Sequence, residues 1–152
     1  MKTIQILVGT TSGNTEFLAD YTADLLQQQN ILSQLHYQPD LTQISQDQPW
    51  LALLASHGAG DYAESMTKFY HQLEQLDQLT PLPYSVIAIG ESCYDTYCAA
   101  GHHLDKRLRD LGAIRLSPPL EIDMLKDDPE TSVSQWLPNW IQLLGSYPQD
   151  GS

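Results

Sequence analysis

Short apolar runs alternate along this chain with stretches whose apolar residues recur every three or four positions. "TIQILV" (3–8), bounded by a glycine, predicts a buried strand. Beyond it Phe17, Leu18, Tyr21, Leu25 and Leu26 recur at helical spacing, and the pattern stops at "QQQN". "ILSQLHY" (31–37) alternates, as a strand near a sheet edge does. "WLALLAS" (50–56) is continuously apolar, which a central parallel strand requires. Met66, Phe69, Tyr70, Leu73 and Leu76 form a second helical stripe, and "YSVIAIG" (84–90) a further buried strand. Leu104, Leu108 and Leu111 mark a third helix, with Gly112 placed to end it. "IRLSPPLEIDML" reads as a strand broken at Pro118–Pro119, which fits an edge or a bulge. Val133, Trp136, Leu137, Trp140, Ile141 and Leu144 make the strongest helical stripe. Pro138 inside it must either kink the helix or lie in its first turn.

This order of elements predicts a doubly wound parallel sheet in one domain, residues 1–146, with a short tail at 147–152. Ligands of such sheets sit beyond the carboxyl ends of the strands, where the strand order reverses. Residues 9–15, 56–65 and 90–98 leave those ends, so their contents belong together.

Charge narrows the partners. Seven basic against nineteen acidic side chains give a net charge of −12. Nucleic acid and anionic membrane surfaces both call for clustered lysine and arginine, so neither suits this chain, whereas a basic protein partner does, with solubility alone as the alternative meaning of the charge. No apolar run approaches the roughly 18 residues of a membrane helix, and the N-terminus lacks a signal-peptide pattern, so a cytoplasmic location is expected. Cys93 and Cys98 are not spaced as C-x-x-C and are read as thiols. The histidines at 36, 57, 71, 102 and 103 fall into no ligand spacing, so no metal site is expected. His102 and His103, adjacent on a helix, should point apart.

The first loop, "VGTTSGNTEF", concentrates the hydroxyls of Thr10, Thr11, Ser12 and Thr15 around Gly9 and Gly13, with no lysine or arginine. A strand-to-helix bend offers unpaired N–H groups and the helix dipole, and hydroxyls add donors without charge. Such a cradle suits one phosphate monoester; the alternative is an ordinary hydroxyl N-cap. Neither G-x-x-x-x-G-K-[ST] nor G-x-G-x-x-G is present. The second loop, "SHGAGDYAES", places Gly58 and Gly60 around Ala59, allowing close backbone approach to a flat ligand or a change of conformation. In the third, "GESCYDTYC", Tyr94 and Tyr97 stand off any helical stripe. Tyr94 is read as stacking on a planar ring, while Tyr97 is open between that role and core packing. A flat heteroaromatic carrying one phosphate fits all three loops, as flavin mononucleotide (FMN) does.

At these residues the sequence resembles the short-chain flavodoxin family, in its MioC-like branch. "GTTSGNTE" is similar to the family's phosphate loop T-x-[TS]-G-x-T, "SHGAGD" to the branch's T-H-G-A-G-D with Ser56 for threonine, and "YDTYCAA" to the stretch carrying the stacking tyrosine. The resemblance implies a flavodoxin-like three-layer α/β/α fold with a five-stranded parallel sheet in order 2-1-3-4-5. It also implies that the hydroxyls of Thr10, Ser12 and Thr15 bind the phosphate, with backbone N–H groups from Thr11 through Gly13 to Glu16 around it and Asn14 toward the ribityl chain. His57 and Gly58, with Ser56 and Ala59 beside them, would line one face of the ring, and Tyr94 the other. Tyr97 is included with this loop, and backbone at Gly90, Glu91 and Cys98 would meet the pyrimidine edge. Many flavodoxins carry tryptophan where His57 stands, so stacking on that face should be weaker here. Ala63 occupies the branch's usual proline position.

The resemblance further implies a low-potential one-electron carrier, monomeric, that transforms no substrate of its own. An NADPH-dependent flavodoxin or ferredoxin reductase is the implied donor, and an acceptor redox enzyme, with biotin synthase as an example, the implied recipient. Three other readings are separable by simple observations. A receiver-type signalling domain would need acidic residues where "GTTS" stands and an aspartate where "SHG" stands. A flavin-free adaptor would be colourless, and a direct nicotinamide-dependent flavin reductase would oxidise NADPH unaided.

Overall fold

A computed structural model of the chain describes residues 3–9, 13–57, 61–62, 64–91 and 98–146. Strand β1 (Ile4–Gly9) is buried along its whole length. Ile4, Ile6 and Val8 enter one core and Leu7 the other, as the period of two demands when both faces of a sheet are covered. Strand β3 (Trp50–His57) divides in the same way, Leu51 and Leu53 to one side and Trp50, Ala52 and Leu54 to the other. Strand β5 (Pro83–Gly90) sends Ile87 and Ile89 one way and Tyr84, Val86 and Ala88 the other.

The strands pair in parallel in the order β2-β1-β3-β5, with β2 (Ser33–His36) on one edge. The opposite edge is one broken line along β5: β6 (Ile114–Arg115) beside its start and β7 (Leu120–Asp123) beside its end. Leu116 still donates its N–H to Tyr84 O at 2.9 Å, but Pro118 and Pro119 have none to give, and pairing resumes with Leu120 opposite Ile87. The expected five-stranded order 2-1-3-4-5 is therefore present, with its last strand split where the prolines stand. A two-residue β4 (Asp61–Tyr62) is added antiparallel to β3.

Helices α1 (Gly13–Gln28) and α4 (Pro129–Ser146) cover one face, and α2 (Thr67–Glu74) and α3 (Ala99–Asp110) the other. Their ends follow local chemistry. α3 stops in a Schellman turn: Gly112 at φ 102° lets its N–H reach Arg109 O and lets Ala113 N–H reach Leu108 O, both at 3.0 Å. The "QQQN" stretch closes α1 in the same way, with Asn30 at φ 62°. Asp128 caps α4 through Thr131, and Pro129 opens the helix where its missing N–H costs nothing. Pro138 is then inside α4, not in its first turn.

One position departs from the expected pattern. Phe17 is 65% exposed, because the buried side of α1 is set by Thr15, Leu18, Ala19, Thr22 and Leu26, and Phe17 faces away from it. His102 and His103 do point apart, His102 to Glu121 on β7 and His103 to Tyr70 on α2.

Candidate functional site

The topology brings the carboxyl ends of β1, β3 and β5 side by side. Gly9 lies opposite Leu54, Leu54 opposite Ala88, and Ala55 opposite Ile89. From β1 the chain first crosses outward to β2 and then returns to form β3 on the other side. The strand order reverses there, and the crevice above that reversal is where ligands of such sheets collect. The three loops selected from sequence all start at this edge.

Of the first loop, Thr10, Thr11 and Ser12 lie outside the described residues. Gly13 and Asn14 are the first two residues of α1, so N–H groups of residues 13–15 have no acceptor within the helix. Thr15 stands in this turn with only 3% of its surface exposed. The donor set is neutral hydroxyls and amides at a helix N-terminus, a chemistry that fits a phosphate monoester. Gly9 serves packing instead: a Cβ there would sit 2.5 Å from Met66 Cγ and 2.6 Å from Leu54 Cδ2.

Ser56 and His57 end β3, where they pair antiparallel with Tyr62 and Asp61. Gly58, Ala59 and the neighbouring Ala63 lie outside the described residues, as do Tyr94, Tyr97 and Cys93. Gly90 is buried at the end of β5, and Glu91 follows it exposed.

Cys98 is fully buried, precedes α3, and holds φ 57°, ψ 21°, a conformation costing a non-glycine residue roughly 1–2 kcal/mol. Its thiol donates to Ala88 O at 3.3 Å, so the side chain is anchored on β5. Gly101 lets α3 sit close against the same strand; a Cβ there would lie 2.4 Å from Ala88 Cβ. Together these contacts fix the start of α3 against the end of β5.

Most of the positive charge lies elsewhere. Lys106 pairs with Asp110 at 3.0 Å, Arg115 and Arg109 with the buried Asp105 at 2.9 and 3.6 Å, and Arg107 donates to Leu73 O at 2.8 Å. All four belong to the far end of α3 and the start of β6, the opposite edge of the sheet. Tyr84 donates to Asp105 there, and burial, followed by that bond, raises its pKa. Around the strand carboxyl ends the described charges include Glu16, Glu91 and Asp123, with Lys126 exposed in the turn after β7. Nearby, Tyr37 donates to Asp20, and this bond, with burial and the charges of Asp20 and Glu16, pushes the phenol up to about 12.

Asp123 is a buried acid that the sequence does not single out. It ends β7 opposite Gly90 and is 6% exposed, yet an acid after "LEI" has nothing in its spacing to distinguish it from a solvated one. Among the described residues no group of three or more histidine, cysteine, aspartate or glutamate side chains could hold a metal ion. A cavity of about 310 Å³ between α1 and α4, with Leu25, Leu137 and Ile141 in its wall, is lined by residues of these two helices and by Gln29 just beyond α1, and by none of the three loops.

Known proteins agree with this geometry. The family model described as Flavodoxin matches residues 6–136. The chain is 35% identical over 147 residues to a MioC homolog of Pasteurella multocida, covering 95% of this chain and all of that protein. It is 29% identical over 142 residues to the flavoprotein alpha-component of the NADPH sulfite reductase of Bacillus subtilis, covering 90% of this chain but 23% of that one. A cysteine-to-serine mutant of flavodoxin from Pseudomonas aeruginosa superposes with a TM-score of 0.85 at 22% identity, over 95% of this chain and 99% of that one.

Proposed function

The chain belongs to the flavodoxin family, and from that premise we propose that it binds one flavin mononucleotide in the crevice above β1, β3 and β5 and carries electrons singly between a reductase and acceptor enzymes. Bound flavin mononucleotide supplies the redox chemistry, taking and giving one electron at a time. The observation that carries this reading is that β1, β3 and β5 end side by side where strand order reverses, with the start of α1 and the buried Thr15 following β1 and no lysine or arginine in residues 8–17.

The protein's own residues do the holding. In this reading Thr15, with Thr10 and Ser12, donates hydroxyl hydrogen bonds to the phosphate, and the N–H groups at Thr11, Gly13, Asn14 and Glu16 complete a neutral cradle. Tyr94 and His57 bracket the ring system, and backbone at Gly90, Glu91 and Cys98 meets its pyrimidine side. Cys98 and Gly101 keep that backbone in place by fixing α3 on β5. Gly58, lacking a side chain, would leave its backbone carbonyl able to turn toward the bound ring and accept a hydrogen bond from it.

The carrier acts on no substrate of its own. Its donor is inferred to be a nicotinamide-linked reductase, a reading that the similarity to the NADPH sulfite reductase flavoprotein component supports. Its acceptors are inferred to be redox enzymes with a basic docking face, since Lys106, Arg107, Arg109 and Arg115 lie away from the crevice and the net charge is −12. No described helix is long and apolar enough to cross a membrane, and we infer a carrier working in the cytoplasm.

Purified protein supplied with flavin mononucleotide should retain a yellow flavin spectrum through gel filtration. It should then bleach under anaerobic NADPH only when a catalytic amount of flavodoxin reductase is present. A colourless product would overturn the reading. Bleaching by NADPH without a reductase would make the protein a reductase itself.

A further inference from the structure

Two features of the helical layer formed by α1 and α4 play no part in the crevice. Phe17 is 65% exposed, and a cavity of about 310 Å³ lies between the helices, rimmed by the exposed Gln28, Gln29 and Gln142. Phe17, Tyr21 and Gln28 follow one another at intervals of four and seven residues, so they share one side of α1. At 1.5 Å per residue, Phe17 stands about 12–18 Å along the chain axis of α1 from Leu25, Gln28 and Gln29, which form one wall of the cavity. An exposed ring and a cavity on the same helix make a knob and a hole.

We propose that this face binds a second copy of the chain about a two-fold axis, α1 antiparallel to the partner's α1, with each Phe17 ring seated in the other copy's cavity. An axis crossing α1 near residues 21–23, midway between knob and hole, makes both contacts at once. Phe17 then leaves water for a wall that includes Leu25, Leu137 and Ile141. Charge selects this occupant. α4 carries no charged residue from Thr131 to Ser146, and none lines the cavity. A basic partner is drawn to acidic surface instead, whereas a second chain of net charge −12 can approach only where charge is sparse. Of the α1 acids beyond the first turn, Asp20 is turned to Tyr37, and Asp24 comes near the partner's Tyr21, whose hydroxyl can donate to it. The pairing leaves the crevice at the strand ends free, and it departs from the monomer that the family resemblance implies.

Sedimentation velocity of the purified protein from about 1 µM to about 1 mM tests the pairing, a range in which complexes of modest affinity form and dissociate. Wild type should pass reversibly from one chain to two. Phe17→Gln removes the knob at an exposed helical position, and Gln142→Glu puts a charge at the cavity rim with little change in side-chain size. Each should raise the dimer dissociation constant at least about tenfold, while flavin affinity and the melting temperature of the dilute protein stay at wild type. Leu32→Gln is the control. Leu32 is 64% exposed beside β2, off this face, and its replacement should leave the dimer unchanged. Raising salt from about 0.05 M to about 0.5 M screens the two net charges and should tighten the dimer. A single chain at every concentration overturns the proposal. So does a dimer that Phe17→Gln or Gln142→Glu leaves intact, or that Leu32→Gln dissolves. A dimer that salt loosens is held by opposite charges and overturns it too. A protein that binds flavin yet stays a single chain refutes the pairing alone and leaves the carrier reading intact.

Discussion

Replacing Thr15 by valine removes one hydroxyl from the first turn of α1 and changes little else. Both residues are branched at Cβ, their helix propensities are close, and the side chain is 3% exposed, so its shape is preserved inside the same packing. If the hydroxyl donates to a phosphate oxygen, the bond lost is one to a charged acceptor, worth about 1.5–3 kcal/mol. At about 1.4 kcal/mol per factor of ten, flavin mononucleotide should bind roughly 10- to 150-fold more weakly. Thr22 provides the control within the same helix. It too is buried, and its Oγ1 donates to Leu18 O at 2.8 Å, a bond inside the helix. Thr22→Val should cost about 1 kcal/mol of stability and leave flavin affinity untouched. Fluorescence quenching of flavin mononucleotide by flavin-free protein measures both constants, and thermal melts measure both stabilities. Equal affinities for wild type, Thr15→Val and Thr22→Val would refute the phosphate role of this turn.

Gly101→Ala should lower stability by about 1–3 kcal/mol, seen as a fall in melting temperature, because its methyl would meet both Cα and Cβ of Ala88 in a packed interface. Cys98→Val should destabilise the protein by more than the roughly 1–2 kcal/mol typical of a left-handed residue, since branching at Cβ worsens the clash, whereas Cys98→Gly should melt within about 1 kcal/mol of wild type. Burial lowers the pKa of His36, whose Nε2 meets Gln5 Oε1 at 2.8 Å. The unfolded chain therefore binds the proton more readily than the folded one, so the stability this neutral histidine contributes is complete above pH 6.5 and is lost as pH falls through its lowered folded value. Melting temperatures from about pH 7 to about pH 5 should fall more steeply for wild type than for His36→Gln, and parallel curves would contradict this.

The sheet was legible because its strands are apolar runs too short for helices and bounded by turn residues. β1, β3 and β5 are covered on both faces, so their sequences carry no alternation to confuse with a surface strand. Pro118 and Pro119 announced the broken edge because neither can join a ladder. The orientation of α1 was less legible. Threonines at 15 and 22 form part of its buried side, and an apolar count assigns that side to Phe17 instead. Pro138 could not be placed because the start of α4 depends on Asp128 and Pro129, a cap that hydrophobic spacing does not register. At the site, residue types revealed the cradle and the loops, while the buried state of Asp123 follows from strand pairing that joins residues 33 positions apart. Composition counts that carboxylate among nineteen acids and cannot tell which one is covered.

Calorimetric titration of flavin-free protein, first with flavin mononucleotide and then with riboflavin, tests the central claim most directly. A neutral cradle built for one phosphate monoester predicts a single site per chain that binds flavin mononucleotide and binds riboflavin far more weakly. No heat with flavin mononucleotide, or equal affinity for the two flavins, would contradict it.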